Sequence, residues 1–220
     1  MSPSYPLGWI VDPVPKRYPL SMMHTALKDR PLAFMDTETT GLIPGVHEVL
    51  EIAIVKECPL TGERESFYTL VRPKHIENAE PKALAVNGYD KNPARWEDAP
   101  TIEEVAPGLL KFLEGTVIVG HNITYDVSMI NGVLLAAGIS EKIPHSKLDT
   151  VTMCFEHLVP LGLESLRMDS VRDFLGWSKD GAHRAMKDVE DLERLYKLLY
   201  RMTWFTALVV LLRRSLRGSR

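Results

Sequence analysis

The fold is decided by the stretch Phe34-Met35-Asp36-Thr37-Glu38-Thr39-Thr40-Gly41-Leu42. The apolar run over 32–35 predicts a buried strand, and in a strand Asp36 and Glu38 point to the same face. Two like charges so close repel each other and favour proton uptake, and a divalent cation such as Mg²⁺, which prefers oxygen ligands, removes that conflict. The stretch alone is equally compatible with an exposed strand end that carries two solvated acids.

Outward from this stretch, the hydrophobic pattern predicts four further strands and six helices. The strands are expected at 49–55, 66–71, 117–119 and 147–149. The helices are expected at 79–86, 101–113 and 123–137, from about Thr150, at 165–175, and from about Ala182 to Leu212. Thr101 is the expected N-cap of its helix, because Glu104 stands at capping-box spacing. Three strands followed by alternating helices and strands predict an α/β domain with a mixed sheet.

Composition predicts one ordinary globular domain. The 220 residues are 45% hydrophobic and 25% charged, with a net charge of -3, which gives no general attraction to nucleic acid. The expected domain spans 30–212, after a proline-rich N-terminal arm at 1–29 and before a basic C-terminal tail at 213–220. Cys58 and Cys154 have no metal-binding spacing and are interpreted as reduced thiols. Without a signal pattern or an apolar run of membrane-spanning length, we expect a cytoplasmic protein.

Two later clusters carry further acids. Asp126 follows the fourth strand and opens a helix, where open α/β sheets place ligands, although an acid there also suits the helix dipole. Asp188 lies near the inward stripe of the last helix, with His183 five residues earlier. A buried acid is costly unless it is paired or binds a metal. Taken singly, a salt-bridged aspartate and a surface histidine explain this last cluster equally well.

Together the clusters resemble the DEDDh family of 3′–5′ exonucleases, which is named for four acids and a histidine in this order. Asp36-Thr37-Glu38-Thr39-Thr40-Gly41-Leu42 is similar to the first motif, His121-Asn122-x-x-Tyr125-Asp126 to the second, and His183-Arg184-Ala185-x-x-Asp188 to the third. Tyr125 stands where phenylalanine is commoner. The resemblance covers about residues 30–200 and implies a ribonuclease H-like fold with a three-strand antiparallel start followed by parallel strands.

The resemblance implies metal-dependent hydrolysis of phosphodiester bonds from a 3′ end, with release of nucleoside 5′-monophosphates. The hypothesis is that Asp36, Glu38, Asp126 and Asp188 bind two Mg²⁺ or Mn²⁺ ions, with Asp36 bridging both. His183 is expected to accept the proton of the attacking water. The family motifs also place Thr39, Leu42 and Asn122 against the substrate.

The substrate and the setting stay open at the level of the sequence. The expected partner is nucleic acid with a free 3′ end, with DNA favoured and RNA the alternative, because sugar preference depends on contacts near the 2′-hydroxyl. The sequence is compatible with a stand-alone enzyme and with a polymerase-associated proofreading subunit. It contains no glutamine, which excludes a glutamine-led clamp-binding peptide and favours the stand-alone enzyme. An inert nucleic-acid-binding protein is a remote alternative, since all five residues are present.

Overall fold

A computed structural model describes residues 26–182, 184–202 and 209–210. Its sheet has five strands, numbered in chain order and arranged as β3-β2-β1-β4-β5. β1 pairs with β2 and β2 with β3 antiparallel, whereas β1–β4 and β4–β5 are parallel. The strand bounds are Leu32–Thr39, Val49–Glu57, Arg64–Leu70, Val117–Gly120 and Lys147–Asp149. The predicted mixed sheet with an antiparallel start is therefore confirmed.

Six α-helices flank the sheet in the described part of the chain. Helices α1 to α6 span Pro81–Asn87, Ile102–Leu113, Ile123–Ala136, Thr150–His157, Met168–Leu175 and Ala185–Tyr200. Short 3₁₀ helices lie at Leu27–Asp29, Ile76–Asn78, Pro93–Trp96 and Val159–Leu161. The predicted cap of α2 is present, since the backbone N–H of Thr101 donates to Glu104 Oε2 at 2.7 Å. None of the described helices combines the length and the apolar character needed to cross a membrane.

The two faces of the sheet bury separate apolar clusters. On one face, Met35 of β1 packs with α2 and α3. On the other face, Phe34 packs against α6, where its ring meets that of Tyr196 edge-on, with centroids 5.5 Å apart. Alternation along β1 therefore turns Asp36 and Glu38 toward the α6 face. This division between the two faces decides which acids meet.

Several predicted boundaries were wrong. β1 contains both acids, as expected, but it also includes Thr39, where the turn was predicted to begin. α5 begins at Met168 instead of 165, and α6 runs from Ala185 to Tyr200 instead of from about 182 to 212. Arg201 and Met202 are not helical, although 209–210 are. Hydrophobic spacing continues past such ends because an apolar residue packs from a turn as well as from a helix.

Parts of the predicted domain plan lie outside the described residues. These are the arm up to residue 25 and the whole basic tail, 213–220. Cys58 and Cys154 are both described, and both are buried free thiols, as the sequence indicates. Cys58 follows β2, and Cys154 lies in α4.

Candidate active site

Three carboxylates meet on the α6 face of the sheet. β1 contributes Asp36 and Glu38, and the first turn of α6 contributes Asp188. Each offers one oxygen, and the three oxygens lie within 4.8 Å of one another. The i, i+2 spacing in a strand explains the first pair, and the packing of α6 across Phe34 brings in the third. The structure thus joins the first and third sequence clusters.

Asp126 approaches from the other face and is held by Thr37. It lies in the first turn of α3 with 4% of its surface exposed. Its Oδ1 accepts hydrogen bonds from the backbone N–H of Thr37 at 3.0 Å and from Thr37 Oγ1 at 2.7 Å. Asp126 is therefore not in the group of three oxygens. Its charge is still close enough to raise the pKa of Asp36.

Burial raises the pKa of three of these acids, and mutual repulsion adds to the rise. Burial, and then the charges of Asp126, Asp188 and Glu38, raise the pKa of Asp36 well above its usual range. Burial and the charge of Asp188 raise the pKa of Glu38 to about 8. Burial raises the pKa of Asp126 to about 7, although the Thr37 hydrogen bonds oppose that rise.

The donor set fits a hard divalent cation. All the ligand atoms of this group are carboxylate oxygens, which Mg²⁺ and Mn²⁺ prefer. The raised pKa values fit as well, because a cation stabilises the ionised form that the cluster otherwise disfavours. The site therefore meets the requirement for metal binding on its own chemistry.

Thr39 and Leu42, two of the residues expected to contact substrate, lie at and just after the end of β1. Thr39 Oγ1 and the hydroxyl of Tyr125 lie 2.6 Å apart, and each is 2.9 Å from the carbonyl oxygen of Gly41. Asn87 Nδ2 donates to the Thr39 carbonyl at 3.0 Å. Leu42 is 68% exposed just beyond this network. The tyrosine that departs from the family pattern thus ties the second motif to the first.

Asn122, the third expected substrate contact, has an unusual backbone. It is the N-cap of α3, is exposed, and has φ 68° and ψ 44°, in the left-handed region. Among the described residues other than glycine it is the one with positive φ. Its N–H donates to Asp149 Oδ1 at 3.0 Å, and Asp149 also caps α4 through Val151. This fixed conformation turns the chain from β4 into the helix that carries Asp126.

His121 joins the end of β4 to α4 and to the segment before α5. Nε2 lies 2.7 Å from the Leu166 carbonyl and therefore carries the proton, while Nδ1 lies 2.9 Å from Thr150 Oγ1. Burial lowers its pKa. His183, the expected proton acceptor, lies outside the described residues.

The sequence prediction missed two residues that hold the acids in place. Thr37 binds Asp126, and Arg172 of α5 reaches Asp188 with its guanidinium at 2.5 Å. A signal for Arg172 exists in the sequence. Together with Met168, Val171 and Leu175 it follows the i, i+3, i+4, i+7 spacing of an inward helix face. An arginine in such a stripe indicates a buried acidic partner.

Fold and site together define an α/β domain of the ribonuclease H-like class with a cluster of acids at the end of its central strand. Residues 33–196 match the family described as exonuclease. The chain belongs to this family, and the resemblance seen in the sequence motifs is confirmed.

Known proteins similar to this chain include polymerase components. The PolC-type DNA polymerase III of Thermotoga maritima is 31% identical over 163 residues, which cover 73% of this chain and 11% of the polymerase. DNA polymerase III subunit epsilon of Aquifex aeolicus is 28% identical over 187 residues, covering 83% of this chain and 87% of the subunit. The chain therefore spans about a tenth of the PolC relative and most of the epsilon subunit.

Among solved structures, the fold is similar to that of exonuclease I. E. coli exonuclease I in complex with a dT13 oligonucleotide superimposes with a TM-score of 0.64 at 20% identity, over 78% of this chain and 41% of exonuclease I. The exonuclease I of Methylocaldum szegediense gives 0.63 at 20% identity. At this identity the similarity establishes the shared ribonuclease H-like fold.

Proposed function

We propose that this protein is a 3′–5′ exonuclease that hydrolyses DNA with two divalent cations, Mg²⁺ or Mn²⁺, and releases nucleoside 5′-monophosphates. The observation that carries the proposal is the convergence of Asp36, Glu38 and Asp188, whose oxygens lie within 4.8 Å of one another. Membership in the exonuclease family supports the reaction. Relatives named as DNA polymerase III support DNA over RNA as the substrate.

In this proposal Asp36, Glu38, Asp126 and Asp188 would hold the cations, with Asp36 shared between them. Cations bound there would stabilise the attacking and the leaving oxygen of the phosphodiester. His183 would accept the proton of the attacking water as the new P–O bond forms and the bond to the 3′ oxygen of the preceding nucleotide breaks. Thr37 orients Asp126 through two hydrogen bonds, which favour the ionised form and oppose the rise that burial causes in its pKa.

The end of β1 is proposed to receive the terminal nucleotide. Leu42 is exposed just after β1, the strand that carries two of the acids, and offers an apolar surface to a base or sugar. The backbone at Thr39 is held by a hydrogen bond from Asn87. Asn122 is exposed at the start of the helix that carries Asp126 and is proposed as a further contact with the nucleic acid. The proposed role is proofreading or repair of DNA, either alone or with a polymerase. The names of the relatives, which are DNA polymerase III components, support this role.

The test is hydrolysis of 5′-labelled single-stranded DNA and RNA of matching sequence, in Mg²⁺, in Mn²⁺ and in EDTA. We expect a metal-dependent ladder that shortens from the 3′ end, with DNA cleaved faster. Faster cleavage of RNA would make the protein an exoribonuclease. No cleavage of either by the folded protein would contradict the proposal.

Matched variants separate the roles of the residues. Glu38→Gln removes one carboxylate of the cluster and should abolish cleavage and weaken Mn²⁺ binding, whereas Glu63→Gln, in the exposed turn of the β2–β3 hairpin, should change neither. His183→Asn should lower the rate by about 10²- to 10⁴-fold, the usual contribution of a general base, while Mn²⁺ binding is retained. Full activity of Glu38→Gln would refute the metal assignment.

A further inference from the structure

Arg172 is a buried arginine that joins α5 to the acidic face of α6. Its side chain is 1% exposed. Its three nitrogens each meet a different carboxylate: Nη2 lies 2.5 Å from Asp188 Oδ1, Nε 2.9 Å from Asp191 Oδ2, and Nη1 3.0 Å from Asp169 Oδ1. The guanidinium is therefore fixed on three sides, and one of these sides is an acid of the proposed metal site.

Arg172 and its charged partners other than Asp188 carry balanced charges. Asp191, which is 4% exposed, also accepts a hydrogen bond from Lys187 Nζ at 2.6 Å. Arg172 and Lys187 supply two positive charges, and Asp169 and Asp191 supply two negative charges. A nearby cation therefore meets little net repulsion from this group, while the hydrogen bond from Arg172 fixes the direction of the Asp188 carboxylate.

The carboxylates of Asp36 and Glu38 repel Asp188, and the contact with Arg172 opposes that repulsion. The Asp188 oxygen lies within 4.8 Å of oxygens of Asp36 and Glu38, and its charge raises the pKa of both. An aspartate side chain without an anchor would rotate away from that repulsion. A charge-assisted hydrogen bond from a rigid guanidinium opposes the rotation.

We propose that Arg172 is the positioning residue of the metal site: it holds Asp188 in the geometry that binds the divalent cation. This inference rests on the proposed metal role of Asp188. Loss of a group that orients a metal ligand typically weakens metal affinity about 10- to 100-fold. Arg172 contacts the ligand and not the substrate, so its effect is measurable with the metal alone.

The decisive variant is Arg172→Lys, which keeps the charge but loses the planar fork. A lysine ammonium is a compact point charge and cannot hold three carboxylates in fixed directions. With Mn²⁺ alone, calorimetric titration and the EPR signal of free Mn²⁺ should show a dissociation constant raised about tenfold or more. An unchanged constant, or tighter binding, would overturn the inference.

Arg194→Lys is the matched control. Arg194 is an exposed residue of α6 whose guanidinium stacks over Trp177, 4.2 Å from the ring centroid, and it is not among the partners of Asp188 given above. The same substitution there should leave the Mn²⁺ dissociation constant within about twofold. Both variants are titrated at a temperature where circular dichroism in EDTA shows them folded, so that lost stability is not read as lost affinity.

A second variant, Asp191→Asn, tests the inference if Arg172→Lys does not fold. Asp191→Asn keeps an oxygen facing Arg172 Nε but weakens the charge-assisted bond that anchors the guanidinium. A smaller weakening of Mn²⁺ binding in the same direction is expected, and an unchanged constant would overturn the inference. If the wild-type protein does not bind Mn²⁺, the metal site itself is refuted. If the wild-type protein and both variants bind Mn²⁺ equally well, only the role of Arg172 is refuted.

Discussion

Gly132→Ala should destabilise the protein even though alanine is the better helix former. Gly132 lies inside α3, where it faces the loop between β1 and β2. A Cβ built there would lie 2.8 Å from the backbone N of Gly45, 3.4 Å from the carbonyl carbon of Pro44 and 3.5 Å from Pro44 Cβ. Real Cβ atoms do not approach backbone so closely, so the helix or the loop must shift.

The loop has little freedom to shift. The N–H of Ile43 donates to His47 Nδ1 at 2.8 Å, and the N–H of His47 donates to the Ile43 carbonyl at 2.9 Å. Gly41 packs on the ring of His47, where a Cβ would come within 2.6 Å. These contacts within the loop that carries Leu42 resist its movement away from α3.

The magnitude follows from two opposing effects. Replacing glycine by alanine in a helix interior stabilises by roughly 0.5–1 kcal/mol. Overpacking against fixed backbone costs about 1–3 kcal/mol. We therefore expect the free energy of unfolding to fall by about 1 kcal/mol, the difference between the midpoints of these two ranges.

The assay is urea denaturation of wild type, Gly132→Ala and a control in the same helix. The control is Ser128→Ala, whose hydroxyl makes a local bond to the Thr124 carbonyl at 2.6 Å and which should stay within about 0.5 kcal/mol of wild type. In the nuclease assay, Gly132→Ala should raise KM more than it lowers kcat, because the loop that carries Leu42 moves. A Gly132→Ala protein as stable as wild type, or more stable, would refute the close-contact argument.

Two further predictions concern the acids themselves. In EDTA the free energy of unfolding should fall as the pH rises from about 5 to about 8. The pKa is about 8 for Glu38 and about 7 for Asp126 in the folded protein. The folded protein therefore retains protons over this range that the unfolded chain has already released. Saturating Mn²⁺ should flatten this dependence, and a flat profile in EDTA measured by denaturation at each pH would contradict the raised pKa values. Thr37→Val should lower the free energy of unfolding by about 1.5–3 kcal/mol at pH 8, since the buried Asp126 carboxylate loses a charged hydrogen bond of 2.7 Å while its backbone bond remains. Thr37→Ser, which keeps the hydroxyl, should recover most of that loss in the same measurement.

Local signals of the sequence were sufficient for most elements. β5 was predicted at its exact bounds, 147–149, and α3 to within one residue at its end, because apolar spacing and a following glycine are properties of adjacent residues. The N-cap of α2 was found through the spacing of Thr101 and Glu104. The resemblance of the three motifs to the exonuclease family likewise depends on short stretches and was confirmed. The start of α5 and both bounds of α6 were misplaced, since apolar packing continues into the turns beside them.

The sequence by itself determined that Asp36 and Glu38 share one face of a strand, because alternation is fixed by the strand backbone. Only the tertiary structure decided that Asp188 of α6 lies close to these two acids. It also decided that Asp126 of α3 lies on the opposite face of the sheet, where it is hydrogen-bonded to Thr37. The same holds for Arg172, whose partners Asp188 and Asp191 lie 16 and 19 residues away on another helix. Such contacts depend on how the helices pack across the sheet, and no local pattern records that geometry.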